Sequence, residues 1–87
     1  MTDNSALKFP TDFPIKIMGL ASKEFESAVR DIFQKHFPEL TETAISFRSS
    51  ADGKYLSITI VVLATSKAQL DAVYMELTAS EFVIMAL

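Results

Sequence analysis

The dipeptide Asp52-Gly53 constrains the fold of this chain more than any other feature of its sequence. It lies between segments 43–50 and 55–63, in which apolar and polar residues alternate, and Asp-Gly in that position is a strong signal for a two-residue β-hairpin turn. The cross-strand pairs that follow are apolar on one face and polar on the other: Ile45 with Ile60, Phe47 with Ile58, Ser46 with Thr59, and Arg48 with Ser57. A slip of one residue would destroy this match, so the sequence predicts the register as well as the hairpin.

Two segments with the helical spacing of apolar residues flank the hairpin. Segment 22–37 carries one apolar stripe, starts at the potential N-cap Ser22 and ends before Pro38. Segment 66–79 carries a second stripe, and Ser66 with Gln69 has the spacing of a capping box. A short strand at 15–19 and a final strand at 81–87 complete the order β-α-β-β-α-β.

This order of elements predicts a ferredoxin-like α+β sandwich. Two helices that each bury one stripe must share one face of the sheet, and right-handed crossovers then give a four-stranded antiparallel sheet in the order 4-1-3-2. Residues 9–87 form this single domain, after a disordered tail at 1–8. Because each proline holds the preceding phenylalanine extended, Phe9-Pro10-Thr11-Asp12-Phe13-Pro14 is expected to form an extended arm (9–14).

The composition argues against several classes of partner. The chain has 87 residues and a formal net charge of −3, which argues against a nucleic-acid binder because such a protein needs a clustered basic face. It has no cysteine and therefore no thiolate metal ligand. Its longest apolar run is 82–87, whereas a membrane-spanning helix needs about 20 residues. The first eight residues are mostly polar and contain no signal peptide. We therefore expect a cytoplasmic protein that binds neither nucleic acid nor membrane.

No group of residues predicts catalysis, a metal site or a cofactor. His36 is the only histidine, has no acidic neighbour within its own helix, and is interpreted as a cation near a helix C-terminus. The acids Glu24, Glu26 and Asp31 interleave with basic residues, as on a solvated helix face. The sequence thus predicts a protein that is not an enzyme and has no catalytic residue, metal ligand or cofactor.

The sheet face that points away from the helices is unusually apolar. The last strand is also apolar on both sides and carries no charge after Glu81, so it lacks the usual protection of an edge strand. Contiguous apolar patches of this kind usually mark an interface. The predicted interface residues are Met18, Val61, Leu63, Phe82 and Ile84. The expected occupant is a protein partner or a second copy in a homodimer, unless the arm at 9–14 folds over this face.

The order and spacing of several short segments resemble one known family. These segments are Phe9-Pro10-Thr11-Asp12-Phe13, Lys16-Ile17-Met18-Gly19, Tyr55-Leu56-Ser57-Ile58-Thr59-Ile60, Ala64-Thr65, Tyr74-Met75-Glu76-Leu77 and Met85-Ala86-Leu87. Together they resemble the YbeD-like family of small bacterial proteins of unknown function. The resemblance implies a ferredoxin-like fold similar to the ACT domains, regulatory modules that bind amino acids at subunit interfaces. It brings no catalytic residue.

Two functional hypotheses follow. The first is a non-catalytic protein-interaction or regulatory module that acts through the outer sheet face or the last strand. The alternative is an ACT-like module that senses a small ligand of the amino acid class at Met18, Gly19, Leu20 and Ser22. Gly19 would let the ligand approach the backbone, and the helix N-terminus would hold its carboxylate. The simpler interpretation of Gly19 is a glycine that ends a strand.

Overall fold

The computed structural model describes residues 8–87, which form a four-stranded antiparallel sheet and two α-helices. The elements in chain order are β1 (Thr11–Leu20), α1 (Lys23–His36), a 3-10 turn (Glu42–Ala44), β2 (Ile45–Ser49), β3 (Tyr55–Ala64), α2 (Lys67–Ala79) and β4 (Met85–Ala86). The strands follow the spatial order β2-β3-β1-β4, which confirms the predicted ferredoxin-like α+β arrangement. Most of the predicted tail, residues 1–7, lies outside the described residues.

Strand β1 starts at Thr11, four residues earlier than the sequence predicts, and Pro14 within it pairs with Val61 of β3. Lys16 exchanges backbone hydrogen bonds with Leu87 on the β4 side, at 3.1 and 2.8 Å. Backbone groups point to alternate sides along a strand, so the nitrogen of Pro14, two residues before Lys16, faces the same side. Strand β4 pairs only with Ile17 and Met18, so no strand lies beside Pro14 on that side. The missing N–H therefore costs no ladder bond. Residues 11–14 join the sheet and do not cover its outer face.

The hairpin has the predicted register, with Phe47 opposite Ile58 and Ile45 opposite Ile60. Its turn differs from the predicted two-residue form. The Gly53 N–H donates to the Ser50 carbonyl at 2.9 Å, and among the described residues only Gly53, at φ 74°, has a positive φ. The side chains explain this turn, because the Asp52 carboxylate accepts hydrogen bonds from the Ser50 hydroxyl at 2.7 Å and from the Lys54 N–H at 3.0 Å.

Both helices start at the predicted serine caps. The Ser22 hydroxyl accepts from the Phe25 N–H at 3.0 Å, and the Ser66 hydroxyl accepts from the Gln69 N–H at 3.1 Å. The Gln69 side chain reaches the Thr65 N–H at 2.8 Å rather than that of Ser66, so the capping box is shifted by one residue. The two helices bury their stripes against one sheet face, and the largest fully buried side chains are Ile15, Ile17, Phe25, Val29, Phe33, Ile58, Ile60, Val62, Val73 and Leu77.

The edge strand β2 is less buried than its apolar pattern suggests. Ile45 packs against the core, but Phe47 is 44% exposed at the border of the helix layer. The guanidinium carbon of Arg30 lies 5.7 Å from the centre of the Phe47 ring, which gives that ring a cation–π contact in place of apolar cover. The position of this edge strand thus leaves the Phe47 side chain accessible to solvent.

The final strand is much shorter than the predicted 81–87. Only Met85–Ala86 is a strand, and it is preceded by a turn in which the Val83 N–H donates to the Ser80 carbonyl at 3.2 Å. Val83 and Ala86 both pack against the core, three residues apart, so the alternation of a strand is broken at Ile84 between them. An apolar segment with no polar marker gives no signal for this bend.

Gly19 is required by close packing, and we expect Gly19→Ala to destabilise the fold. A Cβ at this position would lie 2.5 Å from the Phe82 carbonyl oxygen and 2.7 Å from Cε1 of Phe25. Because backbone and a core ring would both have to move, the free energy of unfolding should fall by about 1–3 kcal/mol, measured by chemical denaturation. Gly53→Asn is the control, since a Cβ there meets open space and asparagine tolerates positive φ. An unchanged midpoint for Gly19→Ala would contradict this packing.

Candidate functional site

The sheet face opposite the helices, here called the outer face, is not covered by any other element formed by residues 8–87. Its side chains alternate with the buried ones, and the pairings place Val61 beside Pro14 and Met18 beside Met85. Leu63 is 57% exposed and Leu87 is 62% exposed on this face. Antiparallel sheets with one solvated face normally turn polar side chains outward, so these exposed apolar residues distinguish the outer face.

Three of the five predicted interface residues share the outer face. Val61 and Leu63 of β3 are exposed there, and Met18 of β1 is half-buried. Phe82 and Ile84 are exposed as well, but they precede the two residues of β4 and lie at the edge of the sheet. The contact of these five residues with a partner stays a prediction.

A cleft of about 460 Å³ lies at the end of the outer face where β1 begins and β3 ends. We call it the acidic cleft because the carboxylates of Asp12 and Glu39 are exposed at its border. Its lining residues are Asp12, His36, Phe37, Pro38, Glu39, Leu40, Thr41, Ala44, Val61, Leu63, Thr65 and Gln69. They come from five separate parts of the chain, so no local sequence pattern could indicate this cleft.

A second cleft, of about 250 Å³, lies towards the hairpin end of the outer face. We call it the basic cleft because Lys16 of β1 and Arg48 of β2 both line it, one on each side of β3. The remaining lining residues are Met18, Ser49, Ser50, Tyr55 and Leu56. The ammonium group of Lys54 lies 5.7 Å from the centre of the Tyr55 ring and adds a third cation at this end.

The cations of the basic cleft differ from those of the helix layer. On the helix side, Arg30 pairs with Glu42, and Lys67 pairs with Asp71 at 2.8 Å. Within the described part of the chain, neither Lys16 nor Arg48 has an acidic oxygen within 4.0 Å. The outer face therefore has a basic end and an acidic end in a protein of net charge −3.

The proposed small-ligand residues are occupied by the fold itself. Gly19 is packed against Phe25 and the last segment, and the Ser22 hydroxyl caps α1. Of the four residues Met18, Gly19, Leu20 and Ser22, only Met18 lines either of the two clefts. A ligand site at these four positions stays a prediction, and the packing accounts for Gly19 without one.

His36 has an acidic partner that helix spacing could not reveal. Its Nε2 lies 2.5 Å from Oε2 of Glu76 in α2, and the Lys35 ammonium lies 2.6 Å from the other oxygen of that carboxylate. The hydrogen bonds from Lys35 and then from His36 lower the pKa of the Glu76 carboxyl. This group joins the end of α1 to α2 and leaves the imidazole engaged in the fold.

The described residues show two further absences. No group of three or more His, Cys, Asp or Glu side chains in this part of the chain is placed to hold a metal ion. No helix between residues 8 and 87 is long and apolar enough to cross a membrane.

The sheet order, the register and the helix layer define a ferredoxin-like α+β domain. The solution structure of the C-terminal domain of the MgtC protein from Mycobacterium tuberculosis has a similar fold, with a TM-score of 0.57. The match covers 94% of this chain and 89% of that chain at 15% sequence identity, so it concerns the fold alone.

Sequence comparison gives the family. The family described as "Protein of unknown function (DUF493)" matches residues 4–87. The UPF0250 protein of Nitrosomonas europaea is 41% identical over 87 residues, which cover both chains completely. The UPF0250 protein of Janthinobacterium sp. is 44% identical over 79 residues, or 91% of this chain and 87% of the relative. The chain belongs to this family of unknown function, which confirms the YbeD-like resemblance.

The Glu76 contacts predict a specific dependence of stability on pH. Because the pKa of Glu76 is lowered in the folded protein, the carboxylate stabilises the fold above its unfolded pKa of about 4.3, and this stability is lost as the pH falls through the folded pKa. Glu76→Gln should therefore lower Tm at pH 7 and reduce the dependence of Tm on pH below about 5. Asp71→Asn, which removes an exposed pair within one helix, is the control. An identical pH profile for Glu76→Gln and the unmodified protein would contradict the assignment.

Proposed function

We propose that this protein is a non-catalytic interaction module that binds a protein through its outer face. The observation that carries the proposal is the exposure of large apolar side chains on a sheet face that no described element covers. Burial of apolar surface is favourable by about 25 cal/mol per Å², so a partner that covers these side chains gains that free energy.

The roles of the polar side chains support a non-catalytic function. His36 is hydrogen-bonded to Glu76, and the hydroxyls of Ser22 and Ser66 cap the two helices. Ser50 and Asp52 hold the hairpin turn. These groups serve the fold, and a nucleophile or general base would need to be free to reach a substrate.

The contact is better placed on the face than on the last strand. Strand β4 has only two residues, so it offers little backbone for the addition of another strand. Beyond β4, the same edge of β1 contains Pro14, which lacks the N–H that a paired strand would accept. The outer face carries the exposed side chains of Val61, Leu63 and Leu87 as well as the two clefts.

Site-specific photo-crosslinking in living bacteria tests the proposal. A photoreactive phenylalanine at Leu63 should give a covalent adduct of defined mass, and Leu87→Asp in the same chain should reduce the yield. The matched control is the same group at Met75, which is also apolar and 71% exposed but lies on α2. Equal adducts at both positions, or none at Leu63, would overturn the proposal.

A further inference from the structure

The two ends of the outer face carry opposite charge, and this pattern is self-complementary. Lys16 and Arg48 are exposed at the basic cleft, and Asp12 and Glu39 are exposed at the acidic cleft. Asp12 and Lys16 lie on the same strand and the same face, so about 13 Å separates the two rows of side chains. A partner that matches this face needs an acidic end and a basic end at the same separation, joined by an apolar surface.

We propose that the occupant of the outer face is a second copy of this chain, related by a two-fold axis that runs across the strands. This inference rests on the proposed function and names its partner. A two-fold axis makes each contact occur twice, so the basic cleft of each copy lies over the acidic cleft of the other. The charges favour this orientation, because an axis along the strands would place the two basic clefts together.

The strand pairings give the register of the contact. On β1 and β3 the successive outer rows are Asp12 with Leu63, Pro14 with Val61, Lys16 with Thr59, Met18 with Ser57, and Leu20 with Tyr55. An axis through the second row brings the Lys16 row of one copy over the Asp12 row of the other, and Val61 meets its counterpart on the axis. The Met18 row, which continues to Arg48 on β2, then lies beyond the Asp12 row, level with the loop before β2.

The lateral positions of the charges agree with this register. A two-fold axis across the strands keeps each strand over its counterpart, so Lys16 on β1 approaches Asp12 on β1 of the second copy. Arg48 on β2 approaches the loop that leads into β2, where Glu39 borders the acidic cleft. Val61 then lies at the centre of the contact and Leu63 lies one row from it, beside Asp12, where both are removed from water.

Charge reversal tests the proposed dimer directly. The four charged residues are exposed, so the substitutions should leave the fold intact: Asp12, Lys16, Glu39 and Arg48. Sedimentation equilibrium of the full chain should show a mass that rises with concentration from 9.6 kDa towards twice that value, and salt should weaken the association. Lys16→Glu with Arg48→Glu, or Asp12→Lys with Glu39→Lys, should each weaken self-association at least about tenfold. An equimolar mixture of the two double variants should associate again, as should a chain with all four reversals.

The control is Lys23→Glu, which makes the same change in charge on α1 as Lys16→Glu makes on β1. It should associate like the unmodified chain, and circular dichroism should show that every variant is folded. The proposed dimer would be wrong if the chain stays monomeric at about 1 mM, or if the charge reversals do not change its association. If a monomeric chain still gives an adduct of another protein at Leu63, the proposed function stands and only its partner is wrong.

Discussion

The pairing of β1 with β3 over ten residues is the interaction on which the rest of the structure depends. It buries Ile15 and Ile17 beside Ile58 and Ile60, and both helices pack on that layer. Because a strand alternates its side chains, the same pairing sends Lys16 and the other intervening residues to the outer face. The register that buries the core therefore decides which positions lie on the outer face. Residues at those positions can change without altering the packing of the core.

The sequence predicted the order of elements and the hairpin register because both depend on repeated patterns. Each apolar pair between β2 and β3 opposes a one-residue slip. The predicted register is therefore the observed one, although the turn differs from the prediction. The turn depends on the hydrogen bond between the Ser50 hydroxyl and the Asp52 carboxylate, and the alternation of apolar residues along a strand gives no information about that contact. Pro14 stays within β1 because its nitrogen points to an unpaired side, and that side is defined only once β4 is in place. Similarly, β4 is short because of a bend at Ile84 in a segment that is apolar throughout.

The candidate site was predictable in part for the same reason. Met18, Val61 and Leu63 follow from alternation along two strands, so their common face could be predicted from the sequence. The acidic cleft combines the start of β1, the end of β3 and the loop after α1, and such a combination exists only in three dimensions. The contact between His36 and Glu76 likewise joins residues from different helices. Long-range contacts of this kind carry no local spacing that a single sequence can show.

Apolar and charged residues have different consequences on a face of this kind. Burial of Val61 and Leu63 would supply most of the affinity, since apolar contact is not directional. The opposed ends at Lys16 and Asp12 would supply orientation, because electrostatic complementarity governs specificity and association rate more than affinity. A face with only the apolar residues would accept several partners in several orientations. If the outer face binds a partner as proposed, the division of charge between its two ends would restrict it to a matching surface in one orientation, which the apolar residues alone would not do.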